Sequence, residues 1–135
     1  MSLDKHPPEL LRRALEILGT NGERWVKGRW REVRDVRIEG VVRKTTCFCA
    51  EGAIAAANRP ILEDPDAKQT DYITDHPKGP IETAAVGVLR QVVGRDVPGY
   101  NDHQRREWLE LKEKFEAAIV KAEARVAEEQ NQAAA

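Results

Sequence analysis

From His103 to about Glu129 the chain reads as one continuous helix, because Trp108, Leu111, Phe115, Ala118 or Ile119, Ala122 and Val126 recur at helical spacing. At 1.5 Å per residue such a helix is roughly 40 Å long, whereas a compact chain of this length has a radius of gyration of roughly 14 Å. It must therefore project beyond the body or pair with something. Its apolar stripe fades from large side chains to small ones toward the C-terminus. That gradient predicts a single domain over residues 1–115, followed by a projecting helical end and a frayed tail over 116–135. Asn101, with Gln104 three residues later, has the pattern of a capping box at the helix start.

The segments before it are punctuated by proline and glycine. A first helix starts near Pro7 or Pro8, carries Leu10, Leu11, Ala14, Leu15 and Leu18 on one face, and ends over Gly19 to Gly22. Trp25 to Trp30 and then Val36, Ile38 and Val42, with charged residues between them, indicate strands with one buried face. Glu39-Gly40 and Arg34-Asp35 are both candidate turns. Thr45 or Thr46 is placed to cap a second helix from about Cys47 to Asn58, which Pro60 ends. Residues 59–79 read as a long irregular loop. A third helix begins at Pro80, with Ile81, Ala84, Ala85, Val88, Leu89 and Val92 on one face, and closes at Gly94. Val97 to Tyr100 is expected to be a turn. These elements define an α+β fold: a small antiparallel β-hairpin or sheet packed with three shorter helices and a long C-terminal helix.

Hydrophobic residues make up 41% of the chain but aromatics only 5%, so the core is built mainly from Leu, Ile, Val and Ala. No stretch approaches the roughly 18 to 20 apolar residues of a membrane span, and residues 1–8 lack the apolar core of a signal peptide. Cys47 and Cys49 are too close for an unstrained disulfide that closes a useful loop. A cytoplasmic setting without membrane contact is the expectation. The net charge of −1 provides no global attraction to nucleic acid, but its distribution is uneven. Residues 23–46 are locally basic, with Arg24, Lys27, Arg29, Arg31, Arg34, Arg37, Arg43 and Lys44, and residues 47–102 are acidic.

Three chemistries can be drawn from these residues. Cys47 and Cys49 sit at the expected start of a helix, where the macrodipole lowers a thiol pKa. With His76 or His103 as base and Asn101 or Asp102 as orienting group they outline a thiol hydrolase. Against this, a Cys-x-x-Gly-Ala run needs only small side chains at a close helix–strand approach, and the caps already account for Asn101 and Asp102. The same cysteines and histidines lack the paired two-to-four-residue spacing of a zinc site, so no metal is expected. Trp25 and Trp30 among arginines suit stacking on bases and contact with phosphates, yet four acids are interleaved and no helix-turn-helix or RNA-binding strand motif is present. There is no phosphate-binding glycine loop, and no cofactor is expected.

At Trp25, Cys49-Ala50-Glu51-Gly52-Ala53 and Tyr100-Asn101-Asp102 the chain resembles a family of small uncharacterised proteins of actinobacteria and their bacteriophages. It departs from that pattern in having Tyr100 where the family usually has Trp, and in its longer last helix. The resemblance implies a small accessory protein and carries no activity. Together these readings favour a non-enzymatic protein that binds a host protein or a second copy. Ile119, Ala122 and Val126 of the last helix, and Arg29, Trp30 and Arg31 of the basic strand region, are the candidate contacts. A homodimer through the C-terminal helix, a small nucleic-acid-binding protein, and a cysteine hydrolase using Cys47, Cys49 and His103 are the alternatives.

Overall fold

The computed structural model describes residues 6–68 and 79–134. The fold is α+β, with one two-stranded antiparallel sheet and a helical body. In chain order the elements are α1 (His6–Leu18), β1 (Arg31–Ile38), β2 (Val41–Phe48), α2 (Ala50–Asn58), a 3-10 turn (Pro60–Glu63), α3 (Pro80–Val93), α4 (Val97–Asn101) and α5 (Trp108–Ala134).

The body forms around α2, whose sequence is almost entirely small and apolar. Ala50, Ala53, Ile54, Ala55 and Ala56 are all fully buried, as expected of a helix enclosed on several sides rather than laid on a surface. Leu11, Ala14 and Leu18 from α1, Ala85 and Leu89 from α3, and Leu111, Phe115, Ala118 and Ala122 from α5 complete a single cluster. Gly52 lets α2 approach the strand region, because a Cβ there would collide with the carbonyl oxygen of Trp30.

Glu39-Gly40 makes the hairpin turn. Both residues have positive φ, 53° and 80°, the requirement of a two-residue turn that follows the twist of its strands. Arg34 and Asp35 are strand residues paired with Thr45 and Lys44. The alternation in the sequence does not produce one buried face along the whole hairpin. Its root is buried through Thr46, Cys47 and Phe48, and Val36 joins Val26 and Cys47 in a small second cluster. Beyond that the hairpin leaves the body, and Ile38, Val41 and Val42 are 36%, 48% and 52% exposed.

Three boundaries differ from expectation. Thr45 and Thr46 cap nothing: the ladder continues to the Arg31–Phe48 pair, which keeps the chain extended through Phe48, and α2 starts at Ala50 with Cys49 as its N-cap. Val97–Asn101 is a short helix and not a turn, capped by the Asp96 carboxylate, which accepts from the Gly99 N–H at 2.8 Å. The last helix begins at Trp108, because the Lys27 ammonium gathers the carbonyls of His103, Gln104 and Arg106 at 3.0, 3.5 and 2.6 Å. Asn101 is therefore the end of α4 and does not cap α5. The docked part of α5 reaches past Phe115 to Ala122, with Arg12–Glu123 closing at 2.7 Å and Arg125 donating to Gln91. Residues 127–133 are exposed.

The region expected as a loop opens with the 3-10 turn, and residues 69–78 lie outside the described residues. Across this connection runs a buried ion pair. Arg59 donates from Nε and Nη2 to the two oxygens of Glu82, each at 2.9 Å, with the side chains 11% and 3% exposed. It ties the end of α2 to the first turn of α3. Among the described residues no helix is long and apolar enough to cross a membrane.

Candidate functional site

The three motifs singled out in the sequence converge on one side chain. Asn101, fully buried, accepts through Oδ1 from the Trp25 indole N–H at 2.6 Å and from the Ala50 N–H at 2.9 Å. Its Nδ2 donates to the Val26 carbonyl at 3.0 Å and to Asp102 Oδ1 at 2.8 Å. The same Asp102 oxygen accepts from the Gly28 N–H at 2.8 Å. One amide thus joins the Trp25 segment, the start of α2 and the end of α4, satisfying polar groups that water cannot reach. Trp25 stacks at a tilt on Trp108, with centroids 5.9 Å apart, and Lys27 covers its ring at 5.3 Å. Tyr100 is buried and faces the Arg106 guanidinium at 3.6 Å. Both polar atoms of the Asn101 amide are thus occupied in holding the fold.

The cysteines are part of that arrangement. Cys49 Sγ accepts from the Gly52 N–H at 3.4 Å as the helix cap, and burial pushes its thiol up to about 11 despite the favourable backbone N–H groups of Gly52 and Glu51. Burial also raises Cys47, which lies in β2 away from any helix start. Desolvation outweighs the backbone N–H groups at Cys49 and the charges of Arg34 and Arg24 at Cys47, so neither thiol is an anion at neutral pH. His103 is exposed, its Nδ1 accepts from the Arg105 N–H, and it makes no hydrogen bond to either cysteine. His76 lies outside the described residues. No group of three His, Cys, Asp or Glu side chains among the described residues is placed to hold a metal ion. We expect native protein to react with a thiol reagent at pH 7.5 at least about tenfold more slowly than after denaturation; equal rates would mean that Cys47 or Cys49 is accessible and activated.

The candidate contact residues are scattered. Arg31 is half-buried and donates to the carbonyls of Leu62 and Asp64 at 2.9 and 2.6 Å, bracing the hairpin on the 3-10 turn. Trp30 is 37% exposed, with the Arg59 guanidinium over its ring at 5.8 Å. Arg29 is exposed and makes no ion pair among the described residues. On α5, Ala122 is buried in the core, Val126 is half-buried, and Ile119 lines an open groove with Leu15, Trp108, Arg12 and Lys112.

The surface that the sequence reading missed is the hairpin tip. Val36, Ile38 and Val41 line an open concavity with Glu39, Arg43 and Thr45. Its signal was Val41-Val42: two adjacent aliphatics in a strand point to opposite faces, and so cannot both be buried in a sheet with one covered side.

No curated protein and no solved structure matches the chain. The family of unknown function DUF6197 matches residues 2–121, a span that contains every residue of the Asn101 junction and ends beside Ala122, the last core residue of α5; the chain belongs to that family.

Proposed function

We propose that the protein is a non-enzymatic protein-binding module, acting in the cytoplasm, that presents the distal half of its hairpin to a partner. One observation carries this reading: Ile38, Val41 and Val42 are large, aliphatic and exposed on an element that leaves its own body. A two-stranded hairpin is marginal on its own, and exposed aliphatics at its tip do nothing for the monomer. Covering them stabilises a complex. Arg43, which makes no ion pair among the described residues, and Arg37, which donates to the Gly40 carbonyl at 3.3 Å, favour a partner surface with an acidic rim around an apolar patch. The actinobacterial and bacteriophage setting implied by the resemblance suits an accessory protein that attaches to a host protein.

The experiment is affinity capture from host lysate with the full chain, with Val41→Ser/Val42→Ser, and with a chain ending at Val126. The partner retained by the full chain is expected to be lost by the double variant, at an unfolding free energy within about 1 kcal/mol of the parent, since exposed side chains contribute little to stability. The truncation, which takes away the exposed residues 127–133 and the two that follow them, is expected to retain it. Retention by the double variant together with loss on truncation would move the function to α5. Nucleic acid is the second reading, favoured by Arg29 and Arg43. It requires oligonucleotide binding that weakens steeply with salt.

A further inference from the structure

We propose that two copies of this chain pair antiparallel along β1, centred on Val33, to form a continuous four-stranded sheet in the order β2–β1–β1′–β2′. The inference stands apart from the partner binding above: it uses the backbone edge of β1 and not the apolar tip.

Among the described residues no strand pairs with the outer edge of β1. Phe48 directs its N–H and C=O away from β1, to Arg24 and Val26, and Trp30 accepts from Cys49 on the inner side. Backbone groups alternate along a ladder, so β2 residues 48, 46, 44 and 42 face away from β1. Their register partners Arg31, Val33, Asp35 and Arg37 face the opposite way, off the outer edge of β1. The outward groups of Val33 and Asp35 have no hydrogen-bond partner among the described residues. Outward backbone groups of this kind on an edge strand are a template for another strand.

The charge order along that edge selects the strand. A symmetric antiparallel pair has its two-fold axis perpendicular to the sheet, so a residue meets one of the same face in the other copy. Centring on Val33 opposes Arg31 to Asp35′, Glu32 to Arg34′, Val33 to Val33′ and Trp30 to Val36′, each pair occurring twice apart from the central one. Every charged pair within residues 30–36 is then of opposite sign, which stabilises cross-strand neighbours. Glu32 and Arg34 are already an ion pair within one strand, and pairing joins two such couples into a four-charge cluster. The neighbouring registers are excluded by the same rule. Centring on Arg34 sets Arg34 on Arg34′ and Arg31 on Arg37′, and centring on Asp35 sets Asp35 on itself. Arg29 against Arg37′, both exposed, limits the ladder to residues 30–36. The outer edge of β2 offers no such register, since centring on Arg43 or on Lys44 sets a like charge on itself, and Phe48 on that edge is already paired with Arg24 and Val26.

The test is the sedimentation-equilibrium mass of the full chain up to about 1 mM, a range set by the small area that edge pairing buries. The expected result is a monomer–dimer equilibrium. Arg34→Glu raises Kd by about tenfold or more, because two opposite-sign pairs become like-sign, and Glu32→Arg/Arg34→Glu, which exchanges the signs, restores it. Val33→Pro abolishes the dimer while leaving the fold, read by circular dichroism, in place, because the lost N–H points away from β2. Val41→Ser/Val42→Ser leaves the dimer intact, which separates this inference from the tip reading. A chain monomeric at about 1 mM overturns the proposal, as does a dimer indifferent to both Arg34→Glu and Val33→Pro.

Discussion

Replacing Asn101 by alanine lowers the free energy of unfolding by about 3–5 kcal/mol, a large part of the roughly 5–15 kcal/mol that holds a domain of this size together. The truncation strands the Trp25 indole N–H, the Ala50 N–H and the Val26 carbonyl, in a site where each unsatisfied group costs about 1–3 kcal/mol. It also opens a small void at the junction of three segments. Trp25→Phe, which removes one donor and leaves the amide in place, costs about 1–2 kcal/mol by the same argument. Urea denaturation of both variants checks the ordering. Equal losses would mean that the ring packing of Trp25 on Trp108 dominates and that the amide is secondary.

Glu82→Ala is expected to cost about 3–5 kcal/mol, because it takes the bidentate carboxylate away from a largely buried guanidinium. Asn58, which donates to the same carboxylate at 3.4 Å, is itself a donor and cannot take its place. The pair as a whole is worth much less than its breakage, since both ions were desolvated to form it. The double variant Arg59→Met/Glu82→Leu should therefore recover most of the loss, and chemical denaturation of the three variants decides this. If the double variant is as unstable as Glu82→Ala, the ion pair contributes through geometry that apolar packing does not reproduce.

These two side chains show why the site was less legible than the fold. Asn101 reads locally as a cap, since its type and its spacing to Gln104 fit that role, and only the approach of Trp25 and Ala50 gives its amide four partners. Glu82 reads as an acid favourable in the first turn of a helix. Nothing near it in sequence indicates Arg59. Cys49 was placed correctly near a helix start, but the consequence drawn from the dipole reversed once burial was known. Among the contact residues, Arg31 proved to be a brace and Ala122 a core residue, whereas Ile38, Val41 and Val42, assigned by alternation to a buried face or passed over, are exposed.

The sequence by itself determined the elements whose signals are local. Proline in the first turn and glycine at the end delimited α1 and α3, Glu39-Gly40 made a tight turn available, and Pro60 set the end of α2. Tertiary structure decided the rest, wherever local preferences tie. Thr45 and Thr46 suit a helix cap and a strand equally, and pairing with Arg34 and Val33 chose the strand. Residues 103–107 could have extended α5, and the Lys27 ammonium, which binds three of that segment's carbonyls at once, left them outside the helix. In each case the deciding energy belongs to a partner more than ten residues away in the chain, which no local pattern contains.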